Sequence, residues 1–425
     1  MVRYANIKIW DELVGVAYWD NERQAANFEY DAKFVSKGIE LSPLKMPLAA
    51  RRVYSFPELN IKTFKGLPGL LADSLPDKFG NDLINKWLAE QGRDPDTYNP
   101  IERLLYQGKR GMGALEFEPP EKIETSADDR IELENLIRVA RNAMLEKAKL
   151  NAGLLNEKSL NQIIQISSSA GGARAKAVIA YNEQTGEIRS GQISAPDGFS
   201  HWLLKMDGVT NKRLGDPQHY GQIEYAYYRM ALACGIEMTF SMLLHENRRR
   251  HFMTRRFDRP SNLEKIHTQT LCGLAHYDFN SPGAYSYEQV FQTMRTLNLP
   301  YIDAEQMFRR MVFNVIARNQ DDHCKNISFL MNRDGVWRLS PAYDMTYSYN
   351  PEGGYTAFHQ LTINGKRDEI TKQDIKQVAA LANIRKPDEV IAKVADAVSQ
   401  WQQIARELEI PAAIINKIGG NLRTL

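Results

Sequence analysis

The chain has 425 residues, too many for one ordinary core, so two or three packed units with a sizeable buried interior are expected. Lys and Arg number 54 against 52 Asp and Glu, a formal charge of +2, which excludes binding to nucleic acid through a strong global field; direct DNA binding is not indicated. Cys234, Cys272 and Cys324 are too widely separated for a disulfide framework or a zinc site, and no apolar run could cross a bilayer, so a soluble protein of a reducing compartment, the cytoplasm, is expected without membrane attachment.

The chain opens on Met1-Val2-Arg3-Tyr4 without the apolar core of a signal peptide. From Ile7 to about Pro57 the alternation is strand-like: Ile7–Trp10, a turn, Leu13–Tyr18, Asn27–Tyr30 and Ile39–Leu41, together a small antiparallel sheet. Gly66 to Asp77 interrupts it, and Asn81, a good N-cap type, is expected to open an amphipathic helix running through Trp87 and Leu88. Ile101–Tyr106 reads as a short helix and Gly111–Phe117 as a strand, before Pro119-Pro120 and an acidic linker that marks a first boundary.

Leu133–Lys147 has apolar residues at helical spacing. Gln165 to Lys176 then reads as strand, Gly-rich turn, strand. Its small residues Ala170, Gly171, Gly172 and Ala173 would expose backbone amides to phosphate oxygens, with Arg174 or Lys176 adding charge, although turns of this composition are common between strands. Ser200–Lys205 is the next strand. Its terminal Lys205 either snorkels to solvent or binds phosphate, and Glu224, near the start of a helix over Gln222–Ala233, is the candidate ion-pair partner or simply a helix-end carboxylate. Met242–His245 and His251–Phe257 form a hairpin with Arg248, Arg249 and Arg250 at its tip; beyond Pro260 helical patterns dominate, at Tyr287–Leu297, Ala304–Arg318, Lys372–Ala382, Asp388–Leu408 and Ala412–Lys417.

Within that helical half lies Asn319-Gln320-Asp321-Asp322-His323-Cys324-Lys325-Asn326. Four residues separate Asp321 from Asn326, the spacing used in phosphoryl transfer between a proton-accepting Asp and a Mg²⁺-holding Asn. Ile327–Met331 and Val336–Leu339 read as a hairpin around Asp334-Gly335, which would return Asp344 beside the loop as a second metal-binding carboxylate. The alternative is an ordinary polar loop between a helix and a strand, with His323 and Lys325 solvated.

These motifs resemble the HipA-like serine/threonine kinases, toxins of bacterial toxin-antitoxin pairs. The resemblance rests on Gly69–Asp77, Gly171–Lys176, Arg256-Phe257-Asp258-Arg259, Asp321–Asn326 and Tyr343-Asp344, and spans almost the whole chain. It implies an α+β, bilobal protein-kinase-like fold with an added N-terminal β-rich subdomain at 1–120, a small lobe at 121–258 and a helical C-terminal lobe at 259–425. It implies ATP and Mg²⁺ as cofactors, Asp321 as catalytic base and Asn326 and Asp344 as metal ligands. Ala170 to Lys176 becomes a mobile phosphate loop and Lys205 the phosphate-binding lysine. Arg255, Arg256 and Phe257 would lie along the adenine edge, with His323 and Lys325 also binding nucleotide. Members of the family autophosphorylate a loop serine, here Ser169 or its neighbours Ser167 and Ser168, which would place charge where ATP phosphates sit. Members phosphorylate a protein substrate such as an aminoacyl-tRNA synthetase, and a small DNA-binding antitoxin brings them to DNA indirectly. Two positions depart from the family's pattern: Arg255 stands where an acidic residue is common, and Gln269-Thr270-Leu271-Cys272 replaces a Gln-Glu-Asp stretch. A weakly active corepressor of the same shape, or a small-molecule phosphotransferase, would share these motifs.

Overall fold

The structure is a computed structural model that describes residues 4–50, 52–76, 78–120, 133, 137, 175–191, 195–208, 218–261 and 264–425. The chain divides into two compact units, the first Met1–His219, Met242–Thr268 and Arg333–Gly335, the second Tyr220–Ser241, Gln269–Asn332 and Val336–Leu425. No helix among the described residues is long and apolar enough to cross a membrane.

The first unit opens with β1 (Tyr4–Ile9), β2 (Glu12–Asp20), β3 (Ala25–Tyr30), β4 (Val53–Ser55) and β5 (Leu115–Glu118), one sheet in the order β4-β3-β2-β1-β5. Period-two alternation explains β1: Ala5, Ile7 and Ile9 point into the core. Trp10 and Asp11, both at positive φ, make the tight turn into β2. The strand expected at Ile39–Leu41 is not formed; Val53–Ser55 takes its place beside β3. The apolar alternation there reflects burial of Leu41 alone, while the Glu40 carboxylate accepts from the Leu48 N–H at 3.1 Å and holds the segment as a loop.

Helix α1 (Lys78–Glu90) starts before Asn81, which therefore does not cap it. Instead Asn81 donates from Nδ2 to the Pro76 carbonyl at 2.6 Å and accepts from Arg103 at 3.0 Å. Helix α2 (Pro100–Gln107) is opened by a reciprocal capping box in which Asn99 and Glu102 bond each other's backbone N–H at 3.0 Å. Ile84 and Leu88 of α1 pack with Tyr98 and Tyr106.

The second sheet holds β6 (Lys176–Tyr181), β7 (Ile188–Ser190), β8 (Ser200–Lys205), β9 (Ser241–Glu246) and β10 (Arg249–Arg255), ordered β7-β6-β8-β10-β9. Its core is Ala177, Ile179, Trp202, Leu204 and Met253, joined by Ile137. Arg249 and Arg250 belong to β10 rather than the hairpin tip, which Asn247 turns at φ +52. After β10, buried Asp258 accepts from Arg256 at 2.6 Å, from Arg259 at 2.7 Å and from the Gly113 N–H at 2.7 Å. Burial pushes that carboxyl up, but the two guanidiniums outweigh it and hold it well below the usual range.

A small sheet is made of β11 (His267–Thr270), β12 (Ser328–Met331) and β13 (Trp337–Leu339), and the second unit holds the helices α3 (Tyr220–Ala233), α4 (Tyr287–Thr296), α5 (Tyr301–Ile316), α6 (Lys372–Leu381), α7 (Pro387–Ser399), α8 (Trp401–Glu407) and α9 (Ala412–Gly419). The expected β12–β13 hairpin forms, Phe329 facing Leu339, with Gly335 at φ +78 in the turn. The continuous helix expected over Asp388–Leu408 is two helices meeting at Gln400. The break turns Trp401 inward, where its ring packs 5.8 Å from that of Tyr227 and its Nε1–H donates to the Ile415 carbonyl at 3.0 Å.

Burial pushes His201, His251 and His267 down to about 4 from 6.5. The unfolded chain therefore binds protons that the folded one refuses, so stability is full above the unfolded value and is lost as pH falls toward the folded one. The urea midpoint is expected to drop between about pH 7.5 and about pH 4.5; a flat midpoint across that window would contradict the burial of these rings as neutral imidazoles.

Candidate active site

Helix α5 delivers the loop. The Ala317 carbonyl that ends it accepts from the buried Tyr227 hydroxyl at 2.6 Å, and Arg318 at φ +56 turns the chain out of the helix. Asp322 then anchors the loop: its buried carboxylate accepts from the Tyr287 hydroxyl at 2.8 Å, from His359 Nδ1 at 2.8 Å and from the Gln360 N–H at 2.7 Å. Asn314 on α5 donates to the same Tyr287 oxygen at 2.9 Å and accepts from Asn319 at 2.9 Å. One carboxylate thus ties α4, α5, the loop and the segment near 360 together.

With Asp322 turned inward, Asp321 turns outward, its side chain 40% exposed. The Asn326 amide donates from Nδ2 to the Asp321 carbonyl at 2.7 Å, which closes the loop and leaves Oδ1 as the remaining acceptor. Asn326 and Asp344 line one small cavity of about 20 Å³, together with Asp322, Asn319, Asn314 and Arg310. The Asp321 side chain is not part of that lining. Asp344 sits at φ +57, a left-handed conformation unusual for a residue with a Cβ. Tyr343 beside it donates to the Lys325 carbonyl at 2.7 Å, so the returning segment is bonded directly to the loop.

His323 lies with Nε2 3.6 Å from Asp321 Oδ1, too long for a hydrogen bond. Burial first, then Lys325, pushes this imidazole down to about 4 against the pull of Asp344, so at neutral pH it carries no charge and the contact is not an ion pair. Its ring packs against Phe279 at 5.6 Å, and the Lys325 ammonium lies 4.8 Å above the same ring.

The other expected residues are placed as follows. Lys205 and Lys176 face each other across β8 and β6 in register, both nearly buried, concentrating two ammonium groups on one region of the second sheet. Arg255 pairs with Glu183 and stacks over Trp202, and the Arg256 side chain is taken up by Asp258, while Phe257 is partly buried beside them. Glu224 is buried in the second turn of α3. Ser169, Ala170, Gly171, Gly172, Ala173 and Arg174 lie outside the described residues. Arg310, buried and donating to the Ser340 carbonyl at 2.6 Å, had no signal in the sequence, nor did His359 and Gln360, whose partner is remote in the chain.

Among the described residues no group of three or more His, Cys, Asp or Glu converges as a metal site. The donor set at the cavity, an amide oxygen and a carboxylate, suits Mg²⁺, which keeps several waters and takes its remaining oxygens from phosphates. Replacing Asp322 by Ala is expected to lower the urea unfolding free energy by about 3 kcal/mol or more, against about 1 kcal/mol for Tyr287→Phe. Two near-neutral results would show that the carboxylate does not organise the loop.

The HipA-like C-terminal domain family matches residues 168–402, and the HipA N-terminal domain family matches residues 5–118. Among solved structures, the chain is similar to that of the Shewanella oneidensis MR-1 toxin-antitoxin system HipA, HipB and its operator DNA. The match has a TM-score of 0.66 at 16% identity and covers 99% of this chain and 92% of that one. A Helicobacter pylori proinflammatory kinase, CtkA, matches at a TM-score of 0.34 and 10% identity, over 59% of this chain and 93% of that one. The kinase-like α+β fold expected from the motifs is the one found, and with its C-terminal family match covering more than half its length, the chain belongs to the HipA family.

Proposed function

We propose that this protein is an ATP- and Mg²⁺-dependent protein serine/threonine kinase, a growth-arresting toxin of the HipA kind whose target is a protein such as an aminoacyl-tRNA synthetase. The observation that carries this reading is that Asn326 and Asp344, from opposite sides of a hairpin, line one cavity while the Asn326 amide is bonded to the Asp321 backbone. Asp321, open to solvent, accepts the proton of the attacking hydroxyl. The hydroxyl oxygen bonds to the γ-phosphorus, the bond to the bridging oxygen breaks, and ADP departs with that electron pair. Mg²⁺ would be held by Asn326 and Asp344, supplying positive charge against the phosphate oxygens. Lys205 would bind the α and β phosphates and Lys176 would add charge at the phosphate loop, with the backbone of residues 255 to 257 meeting adenine.

Phosphate added at Ser169 would repel ATP phosphates and switch the enzyme off. The partner reading is supported by the Shewanella HipA, which was solved with HipB and operator DNA. A near-neutral chain is consistent with reaching DNA through such an antitoxin rather than by itself. With γ-labelled ATP, Mg²⁺ and a cell extract, the purified protein is expected to label a protein band, and Asp321→Asn to cut labelling by about 100-fold or more. A labelled metabolite instead would make it a small-molecule phosphotransferase; no transfer under any condition would contradict the kinase reading.

A further inference from the structure

Beyond the loop and the metal ligands, a short segment grips the site from behind. The Arg423 N–H donates to the Ile316 carbonyl at 2.9 Å, and Arg318 Nε donates to the Asn421 carbonyl at 3.0 Å. Asn421 Nδ2 reaches across to the Tyr347 hydroxyl at 2.8 Å. Arg318 and Arg423 both point an Nη1 at the same Asp368 Oδ1, at 3.6 and 3.7 Å, and Arg318 also stacks 4.3 Å over the Tyr349 ring. The residues held are those just before Asp321 and those just after Asp344. Their own backbone connection is a single isolated parallel bridge between Asn319 and Ser348, made by the Ser348 N–H on the Arg318 carbonyl at 3.1 Å and the Gln320 N–H on the Ser348 carbonyl at 3.3 Å.

One isolated bridge fixes register weakly, because it lacks the neighbouring pairs that make a sheet ladder cooperative. Asn326 is tied to the loop through the Asp321 carbonyl and Asp344 to the same loop through Tyr343 and Lys325, so the bridge and what supports it fix the entry of that loop against the exit of the Asp344 segment. We infer that Arg318, Asp368, Asn421 and Arg423 form a clasp that sets the loop of Asp321 against the segment of Asp344, and so are positioning residues for the divalent cation. The catalytic part of this role rests on the kinase reading. The clasp is an outer shell: none of its side chains lines the cavity, and Asp368 is about a third exposed, so salt can reach it.

The test uses full-length Arg423→Gln, Asp368→Asn and Arg423→Lys proteins. In the first two, amides at Gln320 and Ser348 are expected to exchange with deuterium faster while those of α4 keep wild-type protection, so the change is local. The half-saturating Mg²⁺ concentration should rise by about tenfold, as removal of outer-shell partners of metal ligands does elsewhere, with KM for ATP at saturating Mg²⁺ within about twofold. Arg423→Lys keeps the charge without the planar fork and should fall between the two. Unchanged exchange together with unchanged Mg²⁺ dependence would overturn the clasp. If the wild-type protein transfers no phosphate, the kinase reading fails separately, and exchange alone decides: faster exchange in the variants upholds the clasp, unchanged exchange removes it.

Discussion

The second unit depends on one buried carboxylate. Asp322 is adjacent in sequence to the candidate base, yet its role is the opposite of exposure: a hydroxyl, an imidazole and a backbone amide all converge on it. A buried charge is tolerated only when its lone pairs are met, and here meeting them draws α4, the loop and the 359–360 segment to one point. With Asp322 held inward, Asp321 lies outward. An exposed and a buried carboxylate are thereby separated by one peptide unit.

The first unit repeats the device with different chemistry. Asp258 draws in Arg256, Arg259 and the Gly113 amide, binding the segment after β10 to the loop before β5. Arg256, a candidate for the adenine edge, is therefore a poor side-chain ligand. Facing lysines across β6 and β8 are the other notable electrostatic feature of this sheet.

Much of this was legible from sequence because the signals are local. The Asp334-Gly335 turn and the strand at Ser200–Lys205 are both encoded within a few residues and both appear as expected. What escaped was set by distant partners. Asn81 looks like a cap until Pro76 and Arg103 claim its side chain, and Ile39–Leu41 alternates like a strand although only Leu41 needs burial. The anchoring role of Asp322 has no local signal because His359 and Gln360 lie far along the chain. The break at Gln400 has no Gly or Pro to announce it; it follows from the core position of Trp401.

The central claim is that Asn326 and Asp344 hold the same ion. Manganese, as an electron-spin reporter titrated into the protein with a non-hydrolysable ATP analogue, tests it through Asn326→Ala, Asp344→Asn and the double variant. Ligands of a shared ion are strongly coupled, so either single change should remove the tight class of manganese and the double variant should lose little more. Tight binding retained in both single variants, or losses that simply add, would mean that the two side chains serve different sites.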